Sequence, residues 1–277
     1  MQKRVAIQGI KGSFHDLVVQ RYFKNENFQL IECMSFESVS TTLKDGDADI
    51  AIMAIENTLA GSILPNYTHI QENNFFIGGE IYLHIQMNLL ALRGNVISDL
   101  KRVASHPMAL RQCREYFKKY SKIELVEIND TADGARKVSE EQLKDVGIIA
   151  SKRAADLYGL DVLSEGIETH KENYTRFLVL TRDRIEVSNA NKASICFELN
   201  HAVGSLVDIL MIMKCHELNM TKIQSVPVIG KPYQYHFHVD VMWDNHQYFI
   251  NGMEIVRNNV SNLQILGEYM QGDKSGI

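Results

Sequence analysis

Short runs of β-branched and other apolar residues alternate with helical patterns from residue 4 to about residue 180. Alternation of this kind is typical of α/β units that stand on mostly parallel sheets. The sequence therefore predicts an α/β fold for this region. The expected strands lie at 5–8, 29–33, 50–55, 81–92, 124–128, 146–150 and 176–181.

Small polar residues mark the expected helix starts between these strands. Ser35 and Ser105 each precede an apolar face with helical spacing, and Asp130 or Thr131 can begin a third helix. Their side-chain oxygens can accept a hydrogen bond from the first free backbone N–H groups of a helix. A fourth helix is expected over 151–158.

The apolar run 81–92 is longer than most strands and separates two such α/β halves. It predicts a crossover near 80–92 between two lobes, with a cleft between them. Ligands of such folds lie at the loops that leave the strand ends, where helix N-termini point. We therefore expect one two-lobed domain over 1–182 and a ligand site between its lobes.

A polar segment at 182–192 is the best candidate for a linker. Beyond it, strands are expected at 193–199, 221–228, 234–243 and 262–267, helices at 203–216 and 247–258, and a turn at 230–232. This order, βαββαβ, is the ferredoxin-like order. The sequence therefore predicts a second, smaller domain over 192–277.

The composition limits the classes of function that the chain can have. A chain of 277 residues exceeds the usual size of one domain, and a net charge of −5 gives no basic surface for nucleic acid or an anionic membrane. The chain shows neither a membrane-length apolar run nor a signal-peptide core, and its four cysteines form no CxxC pair. We expect a cytoplasmic protein that binds a small molecule.

Polar residues gather at four predicted strand-to-helix corners. Their sequences are GIKGSFH at 9–15, AIENTLAGS at 54–62, ASHPMALRQC at 104–113 and NYTRFLVL at 173–180. The two glycines of the first corner would let the backbone approach a ligand closely. Helix capping alone explains any one corner, but four together favour a ligand site.

These corners carry a resemblance to a known family. The order of GxxGSF, IENT followed by Gly61, SHPxAL with QC, DTA and NYTRF resembles the prephenate dehydratases over residues 4–181. The second domain resembles the ACT regulatory modules that accompany this enzyme. The resemblance implies a two-lobed, periplasmic-binding-protein-like catalytic domain. No helical chorismate mutase segment precedes Val5, so the fused bifunctional form is not expected.

The resemblance also implies an activity. It is that of a carbon–oxygen lyase, prephenate dehydratase, which converts prephenate to phenylpyruvate in L-phenylalanine biosynthesis without a metal or other cofactor. The resemblance implies that Thr175 is essential for turnover, and the titratable residues of the motifs, Glu56 and His106, are the other candidate catalytic residues. The candidate substrate-binding residues are Ser13, Asn57, Thr58, Gly61, Ser105, Gln112, Thr131, Asn173, Arg176 and Phe177.

The main chemical task of such an enzyme is to protonate the departing hydroxyl group, because hydroxide leaves badly without a proton. Threonine is too weak an acid to supply that proton near neutral pH, so Thr175 would hydrogen-bond the departing oxygen or relay a proton. A neutral Glu56 could supply it, and a protonated His106 could instead hold a carboxylate. The sequence leaves the donor open.

Strand alternation places Thr175 and Arg176 on opposite faces. If Thr175 faces the cleft, Arg176 either reaches a carboxylate from an irregular strand start or forms a structural ion pair.

In the second domain the ACT pattern is only partly retained. Gly204, Leu206, Ser225 and Pro227 match it, whereas Gln224 and Val226 stand where a glutamate and an arginine are usual. The predicted allosteric site for L-phenylalanine consists of Gly204, Leu206, Gln224, Ser225 and Pro227, and the same domain predicts a homo-dimer or tetramer. His236 and His238 share a strand face but lack an acidic or cysteine partner nearby, so no metal site is expected.

Two other functions stay open. Arogenate dehydratase acts on a substrate with an amino group where prephenate has a keto group, and the sequence does not separate the two. A non-catalytic amino-acid sensor could also use a two-lobed cleft with an ACT domain. The joint presence of Glu56, Asn57, Ser105, Gln112 and Thr175 argues against a sensor, since binding alone does not require a reaction-specific set.

Overall fold

A computed structural model describes residues 2–24, 26–228, 230–231 and 233–272. The first lobe begins with five strands and three helices. They are β1 (Lys3–Gln8), α1 (Phe14–Tyr22), β2 (Phe28–Cys33), α2 (Phe36–Lys44), β3 (Ile50–Asn57), β4 (Gly61–Ser62), α3 (Leu64–Glu72) and β5 (Phe76–His84).

The second lobe follows, and the chain then returns to the first. Its elements are β6 (Asn88–Ala91), a short 3₁₀ turn (Ile97–Asp99), β7 (Arg102–Ser105), α4 (Pro107–Phe117), β8 (Glu124–Glu127), α5 (Thr131–Glu140), β9 (Val146–Ala150), α6 (Lys152–Tyr158) and β10 (Asp161–Ser164). The returning strand is β11 (Tyr174–Thr181).

Each lobe is built on one mixed sheet. The first has the order β2-β1-β3-β11-β5 with β4 beside β3, and the second has the order β10-β6-β9-β7-β8. Strand β1 runs parallel to β2 and β3, but β11 is antiparallel to both of its neighbours. The α/β fold class is confirmed, whereas the expectation of mostly parallel sheets is wrong, because a strand that returns from the other lobe enters in the opposite direction.

The predicted strand 81–92 is two strands that belong to different sheets. β5 pairs with β11 in the first lobe, and β6 pairs with β9 and β10 in the second. Between them, Ile85 and Met87 are buried although neither lies in a strand. The apolar pattern therefore runs unbroken through the junction, which is why it looked like one strand.

Helix starts follow the expected capping chemistry with one exception. Ser35 caps α2, Asp130 caps α5 with Thr131 as its first residue, and Ser151 caps α6. At α4 the cap is His106, whose Nδ1 accepts from the Met108 N–H at 3.2 Å. Ser105 cannot be the cap, because it ends β7 and its hydroxyl donates to the Ile149 carbonyl at 2.8 Å.

The remaining segment, 192–269, forms the predicted βαββαβ unit. Its elements are β12 (Lys192–Glu198), α7 (Ser205–Cys215), β13 (Asn219–Pro227), β14 (Tyr235–Met242), α8 (His246–Asn259) and β15 (Ser261–Tyr269). Its strands form an antiparallel sheet in the order β13-β14-β12-β15. This ferredoxin-like order is confirmed. Of the predicted turn at 230–232, Pro232 lies outside the described residues.

The C-terminal unit packs tightly on the first lobe. One apolar cluster joins Met53 and Leu180 of the first lobe to Leu266 and Tyr269 of the C-terminal unit. A Cβ atom on Gly267 would lie 1.9 Å from the Ile77 carbonyl oxygen, so β15 approaches β5 as closely as a glycine allows. None of the described helices combines the length and apolar character that a membrane crossing requires.

A buried ion cluster lies at this junction. Arg176 Nε is 2.6 Å from Glu80 Oε2, its Nη1 contacts Asp240, and Lys192 Nζ lies 2.9 Å from Glu80. All four side chains are buried. Burial alone would raise the pKa of Asp240, but the charges of Arg176 and Lys192 outweigh it and hold that pKa below its usual range. Arg176 therefore has the structural role that strand alternation left open.

Replacing the central cation should destabilise the fold strongly. Arg176→Met leaves Asp240 and Glu80 short of a buried positive charge, and we expect it to lower the free energy of unfolding by about 3–5 kcal/mol. Lys3→Met is the control, because it removes an exposed ion pair to Glu26 and should cost less than about 1 kcal/mol. Urea denaturation measures both losses, and equal losses would contradict the structural role.

Candidate active site

A cleft of about 480 Å³ lies between the two lobes. The N-cap residues of four helices line it: Ser13 of α1, Ser35 of α2, His106 of α4 and Asp130 of α5. The first two belong to the first lobe and the other two to the second. Four helix N-termini, with their free N–H groups and positive dipole ends, therefore converge on one cavity.

Helix α6 of the second lobe joins it directly to the first. Ser151 Oγ donates to the Gly12 carbonyl at 2.6 Å, and Arg153 Nε lies 2.5 Å from the buried Asp16 carboxylate. Gly12 has φ +89°, and a Cβ there would lie 3.3 Å from the Ala154 backbone. These contacts hold the two lobes together at the segment 9–15 of the first lobe.

Asn57 fixes the Thr175 hydroxyl at the floor of the cleft. Its Nδ2 donates to Thr175 Oγ1 at 2.9 Å, and its Oδ1 accepts from the N–H groups of Leu59 and Ala60, each at 2.9 Å. Those two bonds set the orientation of the amide. Among the described residues the Thr175 hydroxyl donates no hydrogen bond, which leaves its proton available to a ligand in the cleft.

A second amide extends this network between the lobes. Asn173, fully buried, accepts from Asn57 Nδ2 at 2.8 Å and donates to Gln112 Oε1 at 3.0 Å. Gln112 belongs to α4 of the second lobe and lines the cleft, as does Phe177 of β11. Asn173 therefore does not line the cleft, contrary to its predicted binding role. It lies behind the lining and links Asn57 of the first lobe to Gln112 of the second.

Asp130 is a titratable group of the cleft that the sequence analysis treated only as a helix start. Its Oδ1 accepts from the Asp133 N–H at 2.8 Å, and Gly9 is so close that a Cβ there would lie 2.8 Å from Oδ2. Burial raises the pKa of this carboxyl. The missing signal was the contact with Gly9, which comes from the other lobe.

The sequence also contained no signal for His15, because its ring contacts come from residues distant in the chain. It is the second residue of α1, lines the cleft and is almost completely buried. Its ring packs edge-on against Phe177, with the centroids 4.9 Å apart, and lies 5.7 Å from the ring of Phe36. Burial lowers its pKa to about 3, so the imidazole is neutral at pH 7.

Glu56 and Arg176 lie outside the cleft, and their predicted places in it are wrong. Glu56 Oε1 is 3.5 Å from Arg176 Nη1, and its Oε2 pairs with Lys222 of β13. Both residues line a smaller cavity of about 220 Å³ on the opposite side of β3 and β11. Strand alternation is the reason, since the neighbours of two cleft-facing residues, Asn57 and Thr175, must face the other way.

Three predicted binding residues also lie elsewhere. Ser105 is fully buried, and its hydroxyl donates to the Ile149 carbonyl of β9 instead of facing the cleft. Thr58 donates to the Glu172 carbonyl at 2.8 Å and accepts from the Tyr174 N–H. Thr58 and Gly61 line the smaller cavity, where Gly61 adopts φ +79° at the turn into β4. Their placement supports a structural role.

The described lining of the cleft has no cationic lysine or arginine side chain. Its titratable residues are His15, His106 and Asp130. Negative charge would therefore be held by helix N-termini and by hydroxyl or amide donors. Ser13, Asn57, Gln112, Thr131 and Thr175 line this same surface, together with His106 and Phe177.

In the C-terminal unit the predicted allosteric residues fall in two places. Gly204, with φ +85°, caps α7, and Leu206 is in its first turn. Gln224, Ser225 and Pro227 lie on β13, an edge strand of the sheet.

The two histidines of β14 each have protein partners. His236 Nδ1 lies 2.9 Å from Gln71 Nε2 and 3.4 Å from Glu198 Oε1, while His238 packs against the Tyr67 ring. Among the residues that the structure describes, no cluster of three or more histidine, cysteine or acidic side chains could hold a metal ion.

Comparison of the sequence with known proteins identifies its relatives. The profile of the prephenate dehydratase family matches residues 5–185. Arogenate dehydratase 2 of Petunia hybrida is 37% identical over 81% of this chain and 57% of its own length. The bifunctional chorismate mutase/prephenate dehydratase of Enterobacter agglomerans is 30% identical over 96% of this chain and 70% of its own. The chain thus spans little more than half of the Petunia relative.

Solved structures agree with the fold. A protein described as GqqA, a novel type of quorum quenching acylase, superposes with a TM-score of 0.88 at 26% identity, covering 99% of this chain and all of that one. Prephenate dehydratase from Arthrobacter aurescens, in complex with L-Phe, superposes with a TM-score of 0.86 at 24% identity over 97% and 90% of the two chains. Together with the family profile, these findings show that the chain belongs to the prephenate dehydratase family.

Proposed function

We propose that this protein is a prephenate dehydratase. The observation that carries the proposal is that the Thr175 hydroxyl lines the cleft, accepts a hydrogen bond from Asn57 and donates none within the described residues. A hydroxyl oriented in advance can donate to an oxygen on which negative charge develops, without reorganising during the reaction. Departure of the ring hydroxyl of prephenate creates such an oxygen.

The cleft fits the charge of this substrate. Prephenate carries two carboxylates, and the N-termini of α1, α2, α4 and α5 supply N–H groups from both lobes. His106 adds a further donor: because its Nδ1 accepts from Met108 N–H, the neutral ring carries its proton on Nε2. Holding the dianion by fixed dipoles leaves no mobile cation near the carboxylate that must leave.

Asp130 is the proton donor in this proposal. Prephenate and one proton give phenylpyruvate, carbon dioxide and water: the bond to the ring carboxylate breaks, its electron pair enters the ring, and the C–O bond to the hydroxyl breaks as that oxygen takes the proton. Asp130 replaces Glu56 in this role, because it is in the cleft and because burial raises its pKa. Thr175 stabilises the departing oxygen.

The first test is turnover. Purified protein without added cofactor should convert prephenate to phenylpyruvate, which is detected by its ultraviolet absorbance. Arogenate in the same assay tests the alternative that the Petunia relative suggests. Faster turnover of arogenate would make the protein an arogenate dehydratase, and binding of prephenate without turnover would favour a sensor.

The role of Thr175 is tested by removing its hydroxyl. Thr175→Ala should lower kcat at least about 100-fold, because a donor to the departing oxygen is lost. Thr175→Ser keeps the hydroxyl and should stay within about tenfold of the wild type. Steady-state kinetics measure both variants, with circular dichroism to verify folding. An unchanged kcat in the alanine variant would refute the assignment.

The role of Asp130 has a control on the same helix. Asp130→Asn keeps the helix cap but cannot donate an acidic proton, so kcat should fall about 10²- to 10⁴-fold. Asp133→Asn removes a carboxylate that pairs with Arg136 and Lys137 outside the cleft, and should leave kcat within twofold.

The pH profile gives a second readout for Asp130. Since the protonated form is the active one, kcat/KM of the wild type should fall as pH rises through the raised pKa of Asp130. The asparagine variant should lack that decline. A decline of equal size in both proteins would assign it to another group.

We infer that the C-terminal unit is an ACT regulatory domain and that L-phenylalanine is its effector. A relative of the same fold is described with L-Phe bound. Lys222 of β13 contacts Glu56 of β3, the strand that pairs with β11 and so with Thr175. This contact gives a physical path between the C-terminal unit and the cleft. Lower prephenate turnover on addition of L-phenylalanine is the outcome that this inference requires.

We also propose a cytoplasmic homo-oligomer, a dimer or tetramer. Strand β13 has a partner on one side only, and Val207 and Met211 of α7 are half exposed. An edge strand beside an apolar helix face favours pairing between copies. Sedimentation of the purified protein measures the number of subunits.

A further inference from the structure

One buried polar atom of a residue that lines the cleft makes no hydrogen bond within the described part of the protein. His15 Nε2 is buried and has no hydrogen-bond partner among the described residues. The side chain itself is 8% exposed, and its residue lines the cleft. A buried polar group without a partner lowers stability, so a position like this needs an explanation.

The surroundings of His15 make it a neutral hydrogen-bonding group. Phe36 and Phe177 pack against its ring and exclude water, and this burial is what lowers its pKa to about 3. At pH 7 the ring therefore has one N–H group and one nitrogen lone pair. It is neither a general acid nor a counter-ion for a carboxylate, which leaves hydrogen bonding as its available chemistry.

Its position links it to the reacting centre. Phe177, against which the ring packs, lies two residues after Thr175 on the same face of β11. His15, Phe177 and Thr175 all line the same cleft, so a ligand bound there lies beside all three residues. Ring diacids present mostly acceptors, namely four carboxylate oxygens and, in prephenate, a keto oxygen.

We propose that His15 is a substrate-binding residue whose Nε2–H donates a hydrogen bond to an acceptor oxygen of the bound ring diacid. The proposal rests on the proposed function and adds to it a specific contact in the wall that also holds Thr175. The partner that Nε2 lacks in the free protein is the substrate. The stability lost in the free protein is offset when the complex forms.

A structural role for His15 gives the opposite pattern of effects. If the ring only filled space, leucine, which is apolar and of similar size, would improve stability and leave kinetics unchanged. If Nε2 had an unrecognised protein partner, leucine would lower stability. The binding role alone predicts a protein of equal or higher stability that binds its substrate less well.

The test compares His15→Leu and His15→Gln with the wild type. For His15→Leu we expect KM for prephenate to rise about 10- to 100-fold, because a hydrogen bond made in both the ground state and the transition state is lost. The value of kcat should change less than threefold. His15→Gln keeps an N–H donor at a similar reach and should keep KM within about threefold.

His238→Leu is the matched control. His238 is also a buried histidine, with its pKa lowered to about 4, but it belongs to β14 and lies outside the cleft. The same change there should leave KM within twofold. Thermal unfolding of each variant, followed by circular dichroism, supplies the stability readout.

Two results would overturn the proposal. One is a KM for His15→Leu within twofold of the wild type, and the other is a lower unfolding midpoint for that variant, which would show that the protein already satisfies Nε2. Either leaves the proposed function intact as long as the wild type turns over prephenate. Failure of the wild type to turn over prephenate refutes the proposed function instead.

Discussion

The alternation of side chains along β11 is the constraint on which the rest of the structure depends. Thr175 and Phe177 face the cleft, so Arg176 must face the other way, into the junction with the C-terminal unit. That face cannot be apolar once it holds a guanidinium, and the carboxylates of Glu80 and Asp240 are buried there to pair with it. A single strand therefore joins the wall of the ligand site to the sheet of the C-terminal unit, and any shift of that sheet acts on a strand that carries Thr175.

The described cleft lining lacks the cationic side chains that would be expected around a doubly charged ligand. It contains neither arginine nor lysine. Helix N-termini take their place, because each offers free N–H groups and a positive dipole end at a fixed position. In the proposed reaction one carboxylate leaves, and fixed dipoles suit that step because they cannot move with the departing group.

The same cleft holds groups that are unfavourable in the free protein. The Asp130 carboxyl is buried beside Gly9, which raises its pKa, and His15 Nε2 has no partner. Both lie where the two lobes meet. An apolar residue would stabilise position 15 better, whereas Asp130 also caps α5. The burial of an unpartnered nitrogen and of a carboxyl in the same cleft is best explained by what enters it.

The sequence by itself determined the α/β class, the βαββαβ order of the C-terminal unit, most helix caps and the identity of the polar corners, because these depend on local spacing and capping chemistry. Its motifs also pointed to the family. Only the tertiary structure decided which polar residues share the cleft. Glu56, Ser105, Thr58 and Gly61 belong to the same motifs as cleft residues yet face elsewhere, while His15 and Asp130 became site residues only through contacts across the fold. The physical reason is that the burial and the direction of a side chain depend on residues distant in the chain. Folding brings Gly9 to Asp130 and Phe177 to His15, and no local pattern of the sequence encodes those contacts.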